Sequence, residues 1–329
     1  TICRLSSMAK FLLCFTAVSF SLRGILVPAN YINTFCPIFG VHSNMIGNKI
    51  TKQNNWLNDY SKNVYSQEGE DGIIEKILEI LPDKNSWSVE FGAWDGMHLS
   101  NTYNLIKNKG YSAVLIEGCK KKFRILQKNF EGNGKIIPIN AFVGFEDKNG
   151  LDSILKTTKI PVYFDVLSID IDGNDYHIWD AFKHYRPKIV IIEYNPTIAN
   201  QVEFINPKDM SVMYGSSILS IDKLARQKDY MLIANTRLNA IFVDKKYFDL
   251  FEIENNSVNA IRTEQLDVSY IFNGYDGTVF VRGCGKMHWH HIPYKASRLQ
   301  QVPKLLRDYP GNYGLIKKVI AKLYRYLRK

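Results

Sequence analysis

The stretch that decides the fold is Ser88-Val89-Glu90-Phe91-Gly92-Ala93-Trp94-Asp95-Gly96, an apolar run that ends in a glycine turn. A second apolar run ends at Glu117, roughly one βαβ unit later. Glycines let the backbone turn sharply and let a ligand approach the main chain. Because a carboxylate at the end of the second strand can accept both hydroxyls of a ribose, this spacing predicts a nucleoside-binding α/β fold.

The glycine turn differs from the dinucleotide-binding fingerprint. A G-x-G-x-x-G loop would place glycine at positions 94 and 97, where the chain has Trp94 and Met97. The turn is more similar to the acidic-x-Gly-x-x-x-Gly loop of S-adenosylmethionine-dependent methyltransferases, with Glu90, Gly92 and Gly96. Taken alone, the turn is equally consistent with an ordinary connection between a strand and a helix.

Short apolar strands alternate with amphipathic helices from residue 71 to residue 243. Strands are predicted at 87–91, 112–116, 135–139, 162–171, 188–193, 230–235 and 240–243, and helices at 71–81, 102–109, 120–130, 176–185 and 217–228. This alternation predicts an α/β fold with a mostly parallel sheet that helices cover on both faces. Four acidic residues then fall at strand carboxyl ends and therefore at one edge of the sheet: Glu90, Glu117, Asp170 and Glu193.

The most acidic part of this edge is the stretch from 167 to 176, which holds Asp170, Asp172 and Asp175. Such close carboxylates repel one another unless a cation, a ligand rich in donors or water relieves the repulsion. Asp175 is predicted to cap the helix that follows. Asp170, at the strand end, is predicted to bind a ligand.

Two chemical roles are open for this acidic group. Glu193 with Asp170 or Asp172 could hold a divalent metal through hard oxygen ligands. One of these carboxylates, or His177, could instead act as a general base toward a hydroxyl, although a lone histidine is more often a structural helix residue. The spacing of Cys284 and the histidines at 288–291 matches no standard zinc site and favours a terminal strand or loop that closes over the substrate.

The charge of the chain favours anionic partners. Its 329 residues carry a net charge of +10, and the last fifteen contain six basic residues and no acidic one. Ile316, Val319, Ile320, Leu323 and Leu327 recur at helical spacing there, so this helix could lie on an anionic membrane or pack on the domain. The five cysteines are scattered, and we expect reduced thiols.

The amino-terminal part has an apolar run at 11–22, which suits a short anchor, a signal segment or a disordered leader. We expect three regions: a leader or anchor with a linker at 1–62, a catalytic domain at 63–250 and an extension at 251–329 that ends in the basic amphipathic helix. The expected location is cytoplasmic or peripheral to a membrane.

Several motifs together resemble the FkbM-type methyltransferase family. They are the stretches at 65–74, 89–96, 115–118, 168–173, 186–187 and 192–196, and the resemblance spans about 63–245. It implies a seven-stranded Rossmann-like methyltransferase sheet that uses S-adenosylmethionine. Members typically methylate hydroxyls on sugars, polysaccharides or polyketide-type small molecules, so a hydroxylated acceptor is implied.

The resemblance also implies roles for individual residues. The methionine and ribose end of the cofactor would be lined by Glu90, Gly92, Ala93 and Gly96. Glu117 would bind the ribose hydroxyls, Asn140 and Ala141 would flank the adenine, and Asp170 would lie near the sulfonium and the acceptor. Gln67 belongs to the same predicted cofactor-binding set. Trp94 stands where members more often carry asparagine.

The favoured prediction is therefore an S-adenosylmethionine-dependent O-methyltransferase acting on a sugar, a glycan or a related small molecule. Its catalytic candidates are Asp170, Asp172, His177 and Glu193, and Asp170, Asp172 and Glu193 could bind Mg²⁺ or Mn²⁺. One alternative is a metal-dependent glycosyltransferase that uses Asp170-Ile171-Asp172, and another is a non-catalytic binding module. Nucleic acid is not an expected substrate, because no Asn-Pro-Pro-aromatic motif occurs.

Overall fold

The computed structural model describes residues 53–328. The strands are β1 (Trp87–Phe91), β2 (Ser112–Ile116), β3 (Ile136–Ile139), β4 (Tyr163–Ile169), β5 (Arg186–Glu193), β6 (Tyr230–Asn235), β7 (Asn239–Asp244), β8 (Ser269–Asn273) and β9 (Val279–Gly283). The α-helices are α1 (Glu70–Ile80), α2 (Tyr103–Lys109), α3 (Lys120–Asn129), α4 (Leu151–Leu155), α5 (Asp175–Ala181), α6 (Ile218–Gln227), α7 (Val258–Ile261) and α8 (Leu315–Leu327). Short 3-10 helices lie between several of these elements.

Seven strands form one sheet in the order β3-β2-β1-β4-β5-β7-β6. All neighbouring pairs are parallel except those that involve β7, which runs antiparallel to both β5 and β6. The predicted Rossmann-like, seven-stranded and mostly parallel sheet is therefore confirmed. Strands β8 and β9 form a separate antiparallel pair in the carboxyl-terminal extension.

The central strands are apolar along their whole length because helices cover both faces of the sheet. In β5, Ile189, Val190, Ile191 and Ile192 are all fully buried. Strand β4 ends at Ile169, two residues earlier than predicted, because the chain turns away through a left-handed residue at Asp172. Strand β5 begins two residues earlier than predicted, at Arg186.

The folded part of the chain begins earlier than the predicted linker allowed. Trp56 and Leu57 are buried, and Trp56 Nε1 donates a hydrogen bond of 3.0 Å to the carbonyl of Phe251. Asn58 donates through its side chain to Asn235 at the end of β6. The leader and linker predicted at 1–62 therefore extend too far, because Trp56 and Leu57 already pack into the core.

Other predictions concern the first 52 residues, which lie outside the described part. They include the apolar run at 11–22 and three of the five cysteines. Between residues 53 and 328, no helix is long and apolar enough to cross a membrane. Cys284 is a free thiol, whereas Cys119 is disulfide-bonded, so the expectation of reduced thiols is wrong at Cys119.

Candidate functional site

The acidic residues at the strand ends share one edge of the sheet. Strand β1 lies between β2 and β4, and β4 pairs with β5, so four parallel strands end side by side. Their carboxyl ends carry Glu90, Glu117, Asp170 and Glu193. The sheet therefore assembles these side chains from separate parts of the chain, and their individual contacts differ.

Glu90 is bonded to the segment that leads into α2. Its buried carboxylate accepts hydrogen bonds from the Ser100 hydroxyl at 2.5 Å, the Thr102 hydroxyl at 2.6 Å and the Asn101 backbone at 3.0 Å. Burial is the main cause that raises the pKa of Glu90. The structure thus gives this carboxylate a positioning role, whereas the resemblance implied a place in the cofactor lining.

The two glycines after β1 are required by the packing of the protein itself. Gly92 has a φ of +72°, and a Cβ there would lie 2.0 Å from the carbonyl oxygen of Asp170. Gly96 has a φ of +77°, and its Cβ would lie 2.4 Å from Cε2 of Phe130. Only glycine combines this backbone conformation with such close approach. The loop after β1 is therefore pressed against the loop after β4.

Glu117 joins the loop after β1 to the loop after β2. One carboxylate oxygen accepts from the Trp94 backbone N–H at 2.9 Å and the other accepts from the Cys119 backbone N–H at 2.6 Å. The Ala93 backbone N–H donates to the Ile116 carbonyl nearby, at 3.1 Å. An ionised carboxylate has about four acceptor positions. Glu117 is thus held in place and still has acceptor capacity for a ligand.

An exposed aromatic ring lies beside Glu117, and the sequence analysis missed it. Phe142 is 62% exposed, and a Cβ on Gly118 would lie 2.4 Å from its ring. Asn140 donates from its side chain to the carbonyls of Glu117 at 2.8 Å and Gly118 at 3.2 Å, which fixes the loop after β3 against the loop after β2. The sequence signal was an aromatic residue directly after the predicted adenine-flanking pair Asn140 and Ala141.

Three carboxylates converge at the ends of β4 and β5. One oxygen each of Asp170, Asp172 and Glu193 lies within 4.8 Å of the others, and all three residues are half-buried. A set of oxygen atoms alone is the donor set that Mg²⁺ prefers. The geometry therefore brings together the three residues that the sequence predicted as metal ligands.

Asp175 shapes the loop that carries this group. The N-cap of α5 is Asn174, and Asp175 is the first helical residue, so the prediction that Asp175 caps the helix is wrong. Its oxygens accept from the backbone N–H groups of Ile171 and Gly173, each at 2.9 Å. Burial, followed by the nearby charge of Asp170, raises the pKa of Asp175.

His177 is a buried residue of α5 that holds a neighbouring loop. Its Nε2 lies 2.6 Å from the carbonyl oxygen of Asn206, and because a carbonyl only accepts, Nε2 carries the proton. The rings of Phe145 and Tyr176 pack edge-on against it. This bond leaves Nδ1 as the only basic position of the neutral ring.

The long segment 194–216 lies next to the acidic group. A Cβ on Gly173 would lie 2.9 Å from Cα of Met213, and the Asn174 side chain donates to the Asp209 and Val212 carbonyls. Several apolar side chains of this segment are exposed, among them Val202, Phe204, Ile205, Met210, Met213 and Tyr214. We call these exposed side chains the apolar wall. Met213 among them belongs to the stretch that lies against Gly173, next to Asp172 in sequence, and strand and helix periodicity could not predict this approach.

Gln67 lies in a segment fixed by the start of α1. One oxygen of Asp71 accepts from three consecutive backbone N–H groups, those of Val64, Tyr65 and Ser66, at 2.7 to 2.9 Å. The Tyr65 ring packs edge-on against Tyr103, 4.5 Å away, at the start of α2. Gln67 is half-buried, and its side-chain amide makes no hydrogen bond within residues 53–328.

The carboxyl-terminal extension is attached close to this edge. Asp267 accepts two hydrogen bonds of 2.7 Å from Arg237 in the turn between β6 and β7. His288 Nδ1 lies 2.8 Å from the same carboxylate. The Arg237 hydrogen bond is the largest cause that lowers the pKa of Asp267. The histidine-rich segment therefore has one member in an ion-pair network.

No protein-family model matches the chain, and no curated protein matches it. Solved structures that are similar to it include the N-terminal domain of EvdMO1 with SAH bound, at 10% identity and a TM-score of 0.36, over 54% of this chain and 82% of that chain. A SAM-dependent methyltransferase from Aquifex aeolicus matches at 8% identity and a TM-score of 0.33, over 57% of this chain and 96% of that chain. The glycopeptide N-methyltransferase MtfA, complexed with SAM, matches at 11% identity and a TM-score of 0.32, over 55% of this chain and 94% of that chain.

Proposed function

We propose that this protein is an S-adenosylmethionine-dependent methyltransferase that modifies a hydroxyl of a sugar, a glycan or a related small molecule. The observation that supports this most is the position of Glu117. It is a buried carboxylate at the end of β2, fixed by the loop after β1, and it retains acceptor capacity. In a parallel α/β sheet, this is where a ribose is held.

The residues around Glu117 fit a nucleoside. Its carboxylate can accept the two ribose hydroxyls, and the exposed ring of Phe142 offers a flat face on which an adenine can stack. The Gln67 amide supplies a further polar group. When bound, the cofactor supplies an electrophilic methyl group on a positively charged sulfur.

The acidic group fits the acceptor side of the reaction. Removal of the hydroxyl proton needs a base or a metal, and Asp170, Asp172 and Glu193 provide both choices. His177 is a weaker candidate, because its Nε2 is bonded to the Asn206 carbonyl and its ring is buried. The apolar wall of the segment 194–216 would orient the acceptor, since alignment contributes strongly to a displacement reaction.

Titration with S-adenosylhomocysteine tests the cofactor assignment. Phe142→Ala should weaken binding by about 1–3 kcal/mol, the usual contribution of stacking between a base and an aromatic ring. Tyr163→Ala is the matched control, because that ring is 61% exposed at the opposite end of β4. The cofactor assignment fails if the wild type does not bind, and the adenine assignment fails if Phe142→Ala binds as well as wild type.

Methyl transfer from labelled S-adenosylmethionine to a panel of sugars tests the chemistry. Asp170→Asn should slow transfer by about 10²–10⁴-fold, the usual contribution of a general base, with a much smaller change in cofactor affinity. Inhibition by a chelator would assign the acidic group to a metal. Hydrolysis of sugar nucleotides without cofactor binding would instead favour the glycosyltransferase alternative.

A further inference from the structure

Helix α8 contacts the rest of the protein through its polar side. Lys317 Nζ lies 3.1 Å from a carboxylate oxygen of Asp308. The Tyr324 hydroxyl donates to the Gln301 carbonyl at 2.7 Å, and Arg328 donates to the Gln301 side chain at 2.7 Å. These residues recur at helical spacing, so one polar face of α8 makes its intramolecular contacts.

A different side of α8 is apolar and exposed. Ile316 is 78% exposed, Val319 68% and Leu323 57%, and Leu327 continues the same stripe. None of the helix's residues is buried. A surface helix of a globular protein normally turns its apolar stripe toward the core, and an exposed apolar patch marks an interaction surface. Helix α8 has the reverse orientation, which calls for an external partner.

The positive charge of α8 and of the residues before it indicates which kind of partner could cover the apolar stripe. At 100° per residue, Lys322 projects about 60° from Val319 and borders the stripe, whereas Lys318 and Arg325 lie about 100° and 120° from Val319, on the polar side of the helix. The region 277–329 contains 12 Lys and Arg residues and one acidic residue, Asp308. Two copies of this region would repel each other, so the charge argues against self-association through α8.

An anionic lipid surface matches both the exposed apolar stripe and the positive charge of the helix. The acyl boundary of a bilayer accepts an apolar stripe, whereas a nucleic acid offers no apolar surface of that shape. Tyr326 and Tyr309 are exposed, and aromatic rings of this amphipathic kind concentrate at membrane interfaces. We propose that α8 binds the surface of an anionic membrane, with its stripe at the acyl boundary, Lys322 against lipid phosphates at the border of the stripe, and the long side chains of Lys318 and Arg325 reaching toward the same phosphates.

Co-sedimentation of the full chain with vesicles tests this proposal. Vesicles of phosphatidylcholine alone are compared with vesicles that also contain phosphatidylserine, at low and high salt. We expect binding that prefers phosphatidylserine and weakens with salt. Lys10 and Arg23 flank the amino-terminal apolar run, so attachment through that run would also prefer phosphatidylserine. The readout is therefore the change in binding that substitutions in α8 cause.

Two variants and a matched control separate the contribution of the basic side chains to vesicle binding from that of the apolar stripe. Lys318→Gln with Lys322→Gln should weaken binding to phosphatidylserine vesicles by about 25-fold, or about fivefold for each basic residue. Leu323→Ser with Val319→Ser should weaken it through the loss of apolar burial. The control, Lys148→Gln with Lys156→Gln, removes the same charge from exposed positions outside the extension and should bind like wild type.

The proposal is overturned if the wild type shows no preference for phosphatidylserine, or if the α8 variants bind like the control. Sedimentation velocity, which measures the oligomeric state, tests whether the stripe instead binds a second copy of the chain. A dimer that Leu323→Ser converts to monomer, with unchanged vesicle binding, would assign the stripe to a second copy of the chain. Thermal unfolding checks that the variants are folded, and we expect no change because every substituted side chain is exposed.

Discussion

At the scale of single residues, the carboxylates at the sheet edge have two different tasks. Glu90 accepts three hydrogen bonds from residues 100–102, and Asp175 accepts the backbone N–H groups of Ile171 and Gly173, so both hold loops of the protein in place. Glu117 accepts only one N–H on each oxygen, and Asp170 belongs to the converging acidic group. The number of protein donors therefore distinguishes Glu90 from Glu117, although both carboxylates are buried.

The raised pKa of Glu90 predicts a specific pH dependence of stability. Its pKa in the folded chain lies above the 4.5 of the unfolded chain, so the unfolded state releases its proton first as the pH rises. The contribution of Glu90 to folding is therefore fully present below pH 4.5 and is lost as the pH rises through the folded pKa. We expect Glu90→Gln to remove this dependence.

Urea unfolding of wild type and Glu90→Gln across this pH range measures the effect. The difference in unfolding free energy, wild type minus variant, should fall as the pH rises above 4.5. A difference that rises instead would mean that the carboxylate is stabilised as an anion by Ser100, Asn101 and Thr102.

Gly92 provides a second prediction at this scale. Gly92→Ala should destabilise the fold by about 2 kcal/mol or more, because a left-handed backbone costs other residues about 1–2 kcal/mol and the Cβ would also meet the Asp170 carbonyl at 2.0 Å. Gly134→Ala is the control, since its Cβ would meet nothing within 4 Å. Urea midpoints compare the two. Equal stability would show that the loop after β4 moves away easily.

At the scale of elements, the segment 194–216 depends on one buried arginine. Arg262 donates to the Ile198 carbonyl at 2.8 Å and to the Pro196 carbonyl at 2.6 Å. Its guanidinium also lies 5.0 Å from the centre of the Tyr194 ring. A single residue outside the predicted catalytic domain therefore supports the wall beside the acidic group.

Arg262→Met should loosen this segment. Each backbone carbonyl that loses a buried donor costs about 1–3 kcal/mol, so hydrogen exchange of amides at 195–206 should become faster. Lys128→Met, at an exposed side chain of α3, is the control and should leave that exchange unchanged. Unchanged exchange in Arg262→Met would show that Asn206 and Asn174 are sufficient to hold the segment.

At the scale of the whole molecule, the two ends of the sheet are built differently. The carboxyl end carries the converging carboxylates, whereas the amino end contains a buried ion pair between Lys188 and Asp165, 2.7 Å apart. Asp165 also accepts from the backbone N–H groups of Asn85 and Ser86. The buried ion pair and the proposed ligand site therefore lie at opposite ends of the same strands.

Lys188→Met should lower the stability of the fold without changing the affinity for the cofactor product. Removing one partner of a buried ion pair costs about 3–5 kcal/mol, so the urea midpoint should fall sharply. Affinity for S-adenosylhomocysteine, measured where the variant is still folded, should stay the same. Lys183→Met, at an exposed position, is the control. A midpoint like that of wild type would show that the Asn85 and Ser86 donors suffice to stabilise Asp165.

The sequence by itself determined the sheet and the edge where polar groups gather. Runs such as Ile189-Val190-Ile191-Ile192 are buried on both faces, so their composition reveals the strand directly. The sequence also predicted the turn at Gly92 and the end of β2 at Glu117. Strand ends are marked by a change from apolar to polar residues.

Only the tertiary structure decided which of these groups are available to a ligand. Glu90 and Glu117 look alike in sequence, yet the first accepts three hydrogen bonds from residues 100–102 and the second accepts one backbone N–H on each oxygen. Likewise, helical periodicity shows that α8 is amphipathic but does not show which face turns outward. Both answers depend on contacts between residues far apart in the chain or on opposite sides of a turn, and local patterns do not encode such contacts.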